Sequence, residues 1–325
     1  MYLLKLLTGT RRGIASCRNS GMGDNLIAAA SAWWYARQTG RSLSICWFHS
    51  RYLSDRRENA FSRFFELPAE IQGVPVLVEP RADRFSSFTL MHWSFLVPFP
   101  DLPGILERLF YRTAPARYVS KRLSPRGFSW SRRQKREELF IQSGRDVPQR
   151  LLITSGCYFP VPELEPFFAA LRPKPYLSAQ VEEFAARHLQ NKFVIGVHIR
   201  YYDPALPHSN HSDFWADPER RLSLCLQKIE EVVRAAGTAD YVVFLSTDSR
   251  KVQDFICSHL RQVVTLDKPL GTDPTRELHE NLPVETAEAT VLEMFLLARS
   301  HLLIRLPAES WFSHYASLYA QKISS

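Results

Sequence analysis

Three apolar runs in the second half of the 325-residue chain end in side chains able to do chemistry. FVIGVHIR (193–200) ends in His198 and Arg200, YVVFLSTDS (241–249) in Thr247, Asp248 and Ser249, and HLLIRLP (301–307) in Arg305, with Glu309 and Ser310 just beyond. Arginine is a permanently charged fork that matches the oxygens of a diphosphate. A serine at a helix start, beside unpaired backbone N–H groups, also favours an anion. Asp248 has acceptor oxygens for a ribose or a base edge. Each group also has a structural reading: Asp248 or Ser249 fits a helix N-cap, His198 a core histidine, and a strand-end arginine an ion pair. Their concurrence at successive strand ends points to a nucleotide site with an anionic leaving group rather than to a metal site.

Ligands of open parallel sheets bind beyond the carboxyl ends of the strands, so these residues require alternating strands and helices. The second half supplies them: helices are predicted over 179–189, 218–236, 251–260, 286–299 and 310–320, with a further strand at 262–266. In the first half a strand is expected at 2–7, after which Gly21-Met22-Gly23-Asp24 opens a helix over 25–38 that stops at Gly40. Strands at 42–48, 74–78 and 151–154 follow, with mostly helical connections over 101–143. The G-M-G-D turn lacks the third glycine of a dinucleotide fingerprint and the GK[ST] of a P-loop, so Gly21 and Gly23 are only loop candidates. Prolines at 160, 162, 166, 173 and 175 place a hand-over between two α/β domains, 1–172 and 173–325.

Composition removes other classes. The chain is 45% hydrophobic and 23% charged, which excludes a disordered protein, and no window holds the roughly 18 apolar residues of a membrane span. Its opening segment lacks the pattern of a secretory signal. The five cysteines are scattered without a C-x-x-C pair, so no disulfide framework is expected and a reducing cytoplasm is the default. The formal charge is +8, and residues 103–150, with twelve basic and four acidic side chains, carry a surplus equal to that of the whole chain. That segment reads either as a solvated helical face or as a contact for an anionic acceptor or surface; no nucleic-acid motif accompanies it, and nucleic acid is not an expected partner. The long connection 201–219 is a candidate substrate loop, and its His208 and His211, near Asp203 and Asp213, lack a helix to fix them as metal ligands.

GMGDNLIAAASAWWYARQTGRSLSICW, FVIGVHIR, FWADPER, FLSTDS and TVLEMFLLARSHLLIRLPAESWFSHYASLYA, in this order and spacing, resemble the α-1,6-fucosyltransferase family and within it the NodZ type of rhizobial nodulation enzymes. The resemblance runs from about residue 20 to 320 and is weakest over 80–150. It implies a GT-B-like architecture of two Rossmann-like domains around a cleft, with GDP-fucose held by the second domain and the acceptor by the first. It also implies inverting fucosyl transfer without a metal or other cofactor, onto a chitin-type oligosaccharide. Carried over by position, Arg200 would neutralise the β-phosphate of GDP, and His198 would orient it or the loop. Asp248 and Glu293 match acidic positions near the nucleotide, and Ser310 matches a serine near the phosphates.

After H-x-R the NodZ pattern continues with His-Gly-Asn and an acidic residue, whereas this chain reads Tyr201-Tyr202-Asp203-Pro204. The acceptor and the general base are expected in that loop. Asp203, Asp213, Asp217 and Glu219 are the carboxylates available there, Asp203 being nearest the strand end. The altered loop leaves open a changed acceptor, a related GDP-sugar, or an inactive glycan- or GDP-binding relative.

Overall fold

The computed structural model describes residues 12–18, 20–48, 50, 52–81, 116–118, 139–147, 151–154, 163–201, 215–270, 284–308 and 310–320. The chain divides into two compact units, Met1–Arg172 and Pro173–Ser325.

The first unit contains β1 (Gly13–Ser16), α1 (Met22–Thr39), β2 (Ser42–Ile45), α2 (Ala60–Phe64), β3 (Phe65–Glu66), β4 (Glu70–Ile71), β5 (Val74–Val78), β6 (Ala116–Tyr118), β7 (Leu151–Thr154) and α3 (Glu165–Ala170). The two-residue β8 (Arg172–Pro173) lies at the boundary. Six strands form one sheet in the order β4-β5-β2-β1-β7-β6, parallel except at the β4–β5 edge. Helix α1 is apolar around its circumference and is buried along almost its whole length. It ends where Gly40, at φ +64°, takes the left-handed conformation and returns its N–H to the Ala36 carbonyl.

One expectation needs correction here, and another falls outside the described residues. The segment 2–7 lies outside the described residues, and the strand that leads into α1 is the four-residue GIAS of β1, too short and too small-sided to show periodicity. Residues 116–118, expected within helical connections, form β6 and pair in parallel with β7. Their surroundings in sequence are so rich in Lys and Arg that no strand pattern stands out. Most of the basic segment 103–150 lies outside the described residues.

The second unit contains α4 (Pro175–His188), β9 (Phe193–Ile199), α5 (Pro218–Ala236), β10 (Tyr241–Thr247), α6 (Arg250–His259), β11 (Val263–Val264), α7 (Val284–Leu297), β12 (Leu302–Leu306) and α8 (Trp311–Ala320). Its sheet is wholly parallel, in the order β11-β10-β9-β12. The helix boundaries follow local chemistry. Asp217 accepts the Arg220 N–H at 3.1 Å to start α5, and Gly237 ends it; Ser249 accepts the Val252 N–H at 3.4 Å to start α6.

Alternation along these strands separates two faces. Ile195, Val197 and Ile199 of β9, Val243 and Leu245 of β10 and Ile304 of β12 pack with Trp215, Leu222, Cys225 and Ile229, and with Val252 and Ile256 of α6, in one buried apolar cluster. On the other face Gly196 lets Ser300 approach so closely that a Cβ there would lie 2.1 Å from its hydroxyl oxygen. Toward the strand ends that second face turns polar. Among the described residues no helix is long and apolar enough to cross a membrane.

Candidate active site

In-register partners in a parallel sheet share a face. His198 is the partner of Ser246 on β10 and of Arg305 on β12, so these three form a row across the sheet, and Arg200 and Asp248 lie two residues further on along the same face. His198, Arg200, Asp248 and Arg305 therefore converge on one edge.

Each group in the row is held by its neighbours. Arg200 forms an ion pair with Asp248, their side chains being 21% and 17% exposed. The same carboxylate accepts the Tyr201 N–H at 2.9 Å. Backbone bonds fix the strand end: the Arg200 N–H donates to the Leu306 carbonyl at 2.8 Å, and the Trp215 indole donates to the Arg200 carbonyl at 2.9 Å. The Tyr201 ring stands edge-on to Trp215 with centroids 4.9 Å apart. Glu293, on the buried side of α7, pairs with Lys268 at 2.5 Å and accepts from Ser246. The Arg305 guanidinium donates to Nδ1 of His314 at 3.2 Å.

Burial and crowding set the protonation states. His198 is 5% exposed, its ring packs against Phe312 with centroids 5.0 Å apart, and its buried Nδ1 has no hydrogen-bond partner among the described residues. Its pKa is pulled down to about 3, first by burial and then by the charges of Arg200, Lys268 and Arg305, so the imidazole is neutral at ordinary pH. Burial pushes the Glu293 carboxyl above its usual range, and Lys268 and Ser246 only partly oppose that shift. Ser310 immediately precedes α8, and its carbonyl accepts the His314 N–H at 3.1 Å and the Ser313 hydroxyl at 3.2 Å.

Two pairings were not legible in the sequence. Asp248, read as a ribose or base ligand, holds Arg200, and Lys268, given no role, neutralises Glu293 across 25 residues of chain. The signal available for Lys268 was only its place just beyond a strand end. Of the candidate bases, Asp217 is engaged as the α5 cap, while Asp203 and Asp213 lie outside the described residues, as do Tyr202, His208, His211 and Glu309.

Gly21 and Gly23 belong to the corresponding strand end of the first unit. Gly21 precedes α1 with φ −58°, a conformation open to any residue, so strain does not explain it. The turn is held by side chains: the Ser20 N–H donates to Asn25 Oδ1 at 2.9 Å, and the Ser20 hydroxyl donates to Asp24 at 2.8 Å. Arg18 lies 3.7 Å from the same carboxylate. Among the described residues no group of three or more His, Cys, Asp or Glu is placed to hold a metal. A groove of about 1030 Å³ lies at the opposite, N-terminal edge of the second sheet, lined in part by Lys192, Phe193, Asp240 and His301, and none of the candidate residues reaches it.

Known proteins extend these observations. Residues 10–325 match the family model described as Nodulation protein Z (NodZ). Nodulation protein Z of Sinorhizobium fredii is 29% identical over 320 residues, covering 96% of this chain and 92% of the relative. A crystal structure of NodZ α-1,6-fucosyltransferase grown with GDP aligns with a TM-score of 0.63 at 25% identity, covering 95% of this chain and 92% of that one. A NodZ crystal soaked with GDP-fucose gives a TM-score of 0.64 at 24% identity over 95% of this chain and 93% of that one. Parallel sheets, strand-end polar groups and these neighbours define a Rossmann-like α/β protein of the GT-B-like class. The chain belongs to the Nodulation protein Z (NodZ) family.

Proposed function

We propose that the chain is a fucosyltransferase that moves fucose from GDP-fucose to a hydroxyl, O6 of a GlcNAc-type sugar, on an oligosaccharide such as a chitin oligosaccharide. The observation that carries this reading is the polar row on one sheet face: neutral His198 beside cations and carboxylates at the carboxyl ends of parallel strands. Family membership over residues 10–325, and relatives that include a NodZ α-1,6-fucosyltransferase crystallised with GDP, supply the donor. The second unit takes the GDP and the first faces the acceptor. The reaction belongs in the cytoplasm, and the basic segment 103–150 is available to an anionic surface.

The acceptor oxygen attacks the anomeric carbon opposite to GDP, so configuration inverts. The bond from that carbon to the β-phosphate oxygen breaks with its electron pair on the phosphate, and the acceptor proton passes to a carboxylate, for which Asp203 is the candidate. Charge grows on the diphosphate as the bond breaks, so a fixed guanidinium stabilises the transition state more than the ground state. Arg200 fills that role without a metal. Its pairing with Asp248 keeps the fork at the edge before the donor arrives, and the diphosphate then shares it. His198, Glu293 and Ser310 complete the donor side, Gly21 and Gly23 shape a loop of the first unit, and Tyr201 and Tyr202 begin the segment that meets the acceptor.

The test is incubation with GDP-fucose, GDP-mannose and chitin oligosaccharides, read by GDP release and product mass. A product heavier by one fucosyl group with GDP-fucose supports the proposal; no GDP binding and no product with any donor rejects it. Arg200→Ala should lower turnover by about 10² to 10³, or about 2.7–4 kcal/mol of transition-state stabilisation, with the protein still folded. Turnover equal to wild type would remove Arg200 from the mechanism.

A further inference from the structure

Among the described residues the charges on the polar face do not balance. Arg200 is matched by Asp248 and Lys268 by Glu293, each pair close and at least three-quarters buried. Arg305 has no carboxylate facing it among the described residues; its contact is the ring nitrogen of His314. Because a guanidinium only donates, Nδ1 of that ring must be the acceptor, so Arg305 is aimed by a neutral group and keeps its whole charge. It lies one strand from His198, in the same row, on the β12 side where α8 begins. A half-buried cation held without a counterion is costly unless an anion comes to it.

We propose that Arg305 is a second guanidinium on the diphosphate, completing a clamp with Arg200 from the adjacent strand β12, and that His314 is a positioning residue for it. Arg200 approaches the ligand with its charge already shared with Asp248. Arg305 brings an unshared charge, so it supplies more of the compensation when the electron pair of the broken bond settles on the phosphate. The start of α8 lies on the same side and favours the same anion. This inference rests on reading the edge as a diphosphate site, although the clamp itself requires only the diphosphate and not the nucleoside.

Inorganic pyrophosphate therefore tests it. Calorimetric titration of the full chain should show pyrophosphate binding that weakens at least tenfold in Arg305→Met and less in Arg305→Lys, which keeps the charge and loses the fork. Unliganded thermal unfolding of both variants, unchanged from wild type, shows that the loss is not a failure to fold. Guanosine, lacking phosphate, should bind Arg305→Met as it binds wild type, while kcat for fucosyl transfer falls with a smaller change in KM for the donor. His314→Ala should reproduce part of the loss, and His314→Gln, which restores an acceptor, should recover it. Pyrophosphate affinity within twofold of wild type in Arg305→Met, or no pyrophosphate binding by wild type, overturns the inference. Pyrophosphate binding that depends on Arg305, in a protein that binds no GDP, would support the clamp and reject the nucleotide reading instead.

Discussion

The two units end their central strands in different chemistry. In the first, β1, β2 and β7 lead into Ser16, Cys17, Cys46 and Thr154, all buried, with Ser44 beside them. The Cys17 thiol is held protonated, chiefly by its hydrogen bond with Cys46 and then by burial. Among the described residues this edge is neutral except for Arg18 and Asp24 in the turn beyond. In the second unit the equivalent edge carries Arg200, Asp248 and Arg305, with Lys268 and Glu293 behind them. Parallel topology thus provides a carboxyl-terminal strand edge twice, and the two edges differ in residue type. Buried hydroxyls and thiols need only hydrogen bonds. Buried charges need counterions, and among the described residues the second edge is built from two ion pairs and Arg305, whose contact is a histidine nitrogen.

The comparison is broken most severely by removing a counterion. Lys268→Met leaves the Glu293 carboxylate, 4% exposed, without its cation and should cost about 3–5 kcal/mol of stability. The double variant Lys268→Met with Glu293→Leu should recover most of that, because the unpaired charge is gone. Urea unfolding of the three proteins checks it, and a loss below about 1 kcal/mol in the single variant would show that the pair is open to solvent.

Over a single pH unit the expected effect is smaller. His198 ionises near 6.5 in an unfolded chain but near 3 in the fold, so its share of stability is intact above pH 6.5 and is lost as the pH falls toward 3. The expected slope is about 1.4 kcal/mol per pH unit at most, because the unfolded chain takes up one proton that the native protein refuses. The raised carboxyl of Glu293 acts with the opposite sign, lowering stability as the pH rises through its folded pKa. The difference between wild type and His198→Asn removes that common contribution. Parallel stability curves for the two proteins between pH 4 and 7 would mean that His198 is solvated.

The second unit was more legible in the sequence than the first for a physical reason. Its central strands are seven-residue apolar runs with polar ends, and α5 carries Asp217, Pro218 and Gly237 as start and stop signals. A strand such as β1 has four small residues and no period, and β3, β4 and β8 are two residues each. The fold class could therefore be read, but not the strand that positions the Gly21–Gly23 turn. At the strand ends, alternation along the strands predicted that Arg200, His198 and Asp248 share one face, as they do. Their partners could not be read: Lys268 reaches Glu293 through tertiary packing, and no spacing rule links positions 25 apart. Asp203, Tyr202 and the rest of 202–214 lie outside the described residues.

The smallest effect expected lies at the neutral edge and carries the opposite sign. Ser16 is 0% exposed, in register with Ile45 and Thr154, and its hydroxyl has no hydrogen-bond partner among the described residues. A buried hydroxyl without a partner costs about 1–3 kcal/mol relative to one that is satisfied, and alanine removes the polar atom while leaving a space too small to weaken the packing much. Ser16→Ala should therefore leave stability unchanged or raise it by about 1 kcal/mol, measured by urea unfolding beside Lys268→Met. A loss of 1 kcal/mol or more would mean that Ser16 is bonded in solution. Ser16 would then be satisfied internally, as Arg200 and Lys268 are by their ion pairs.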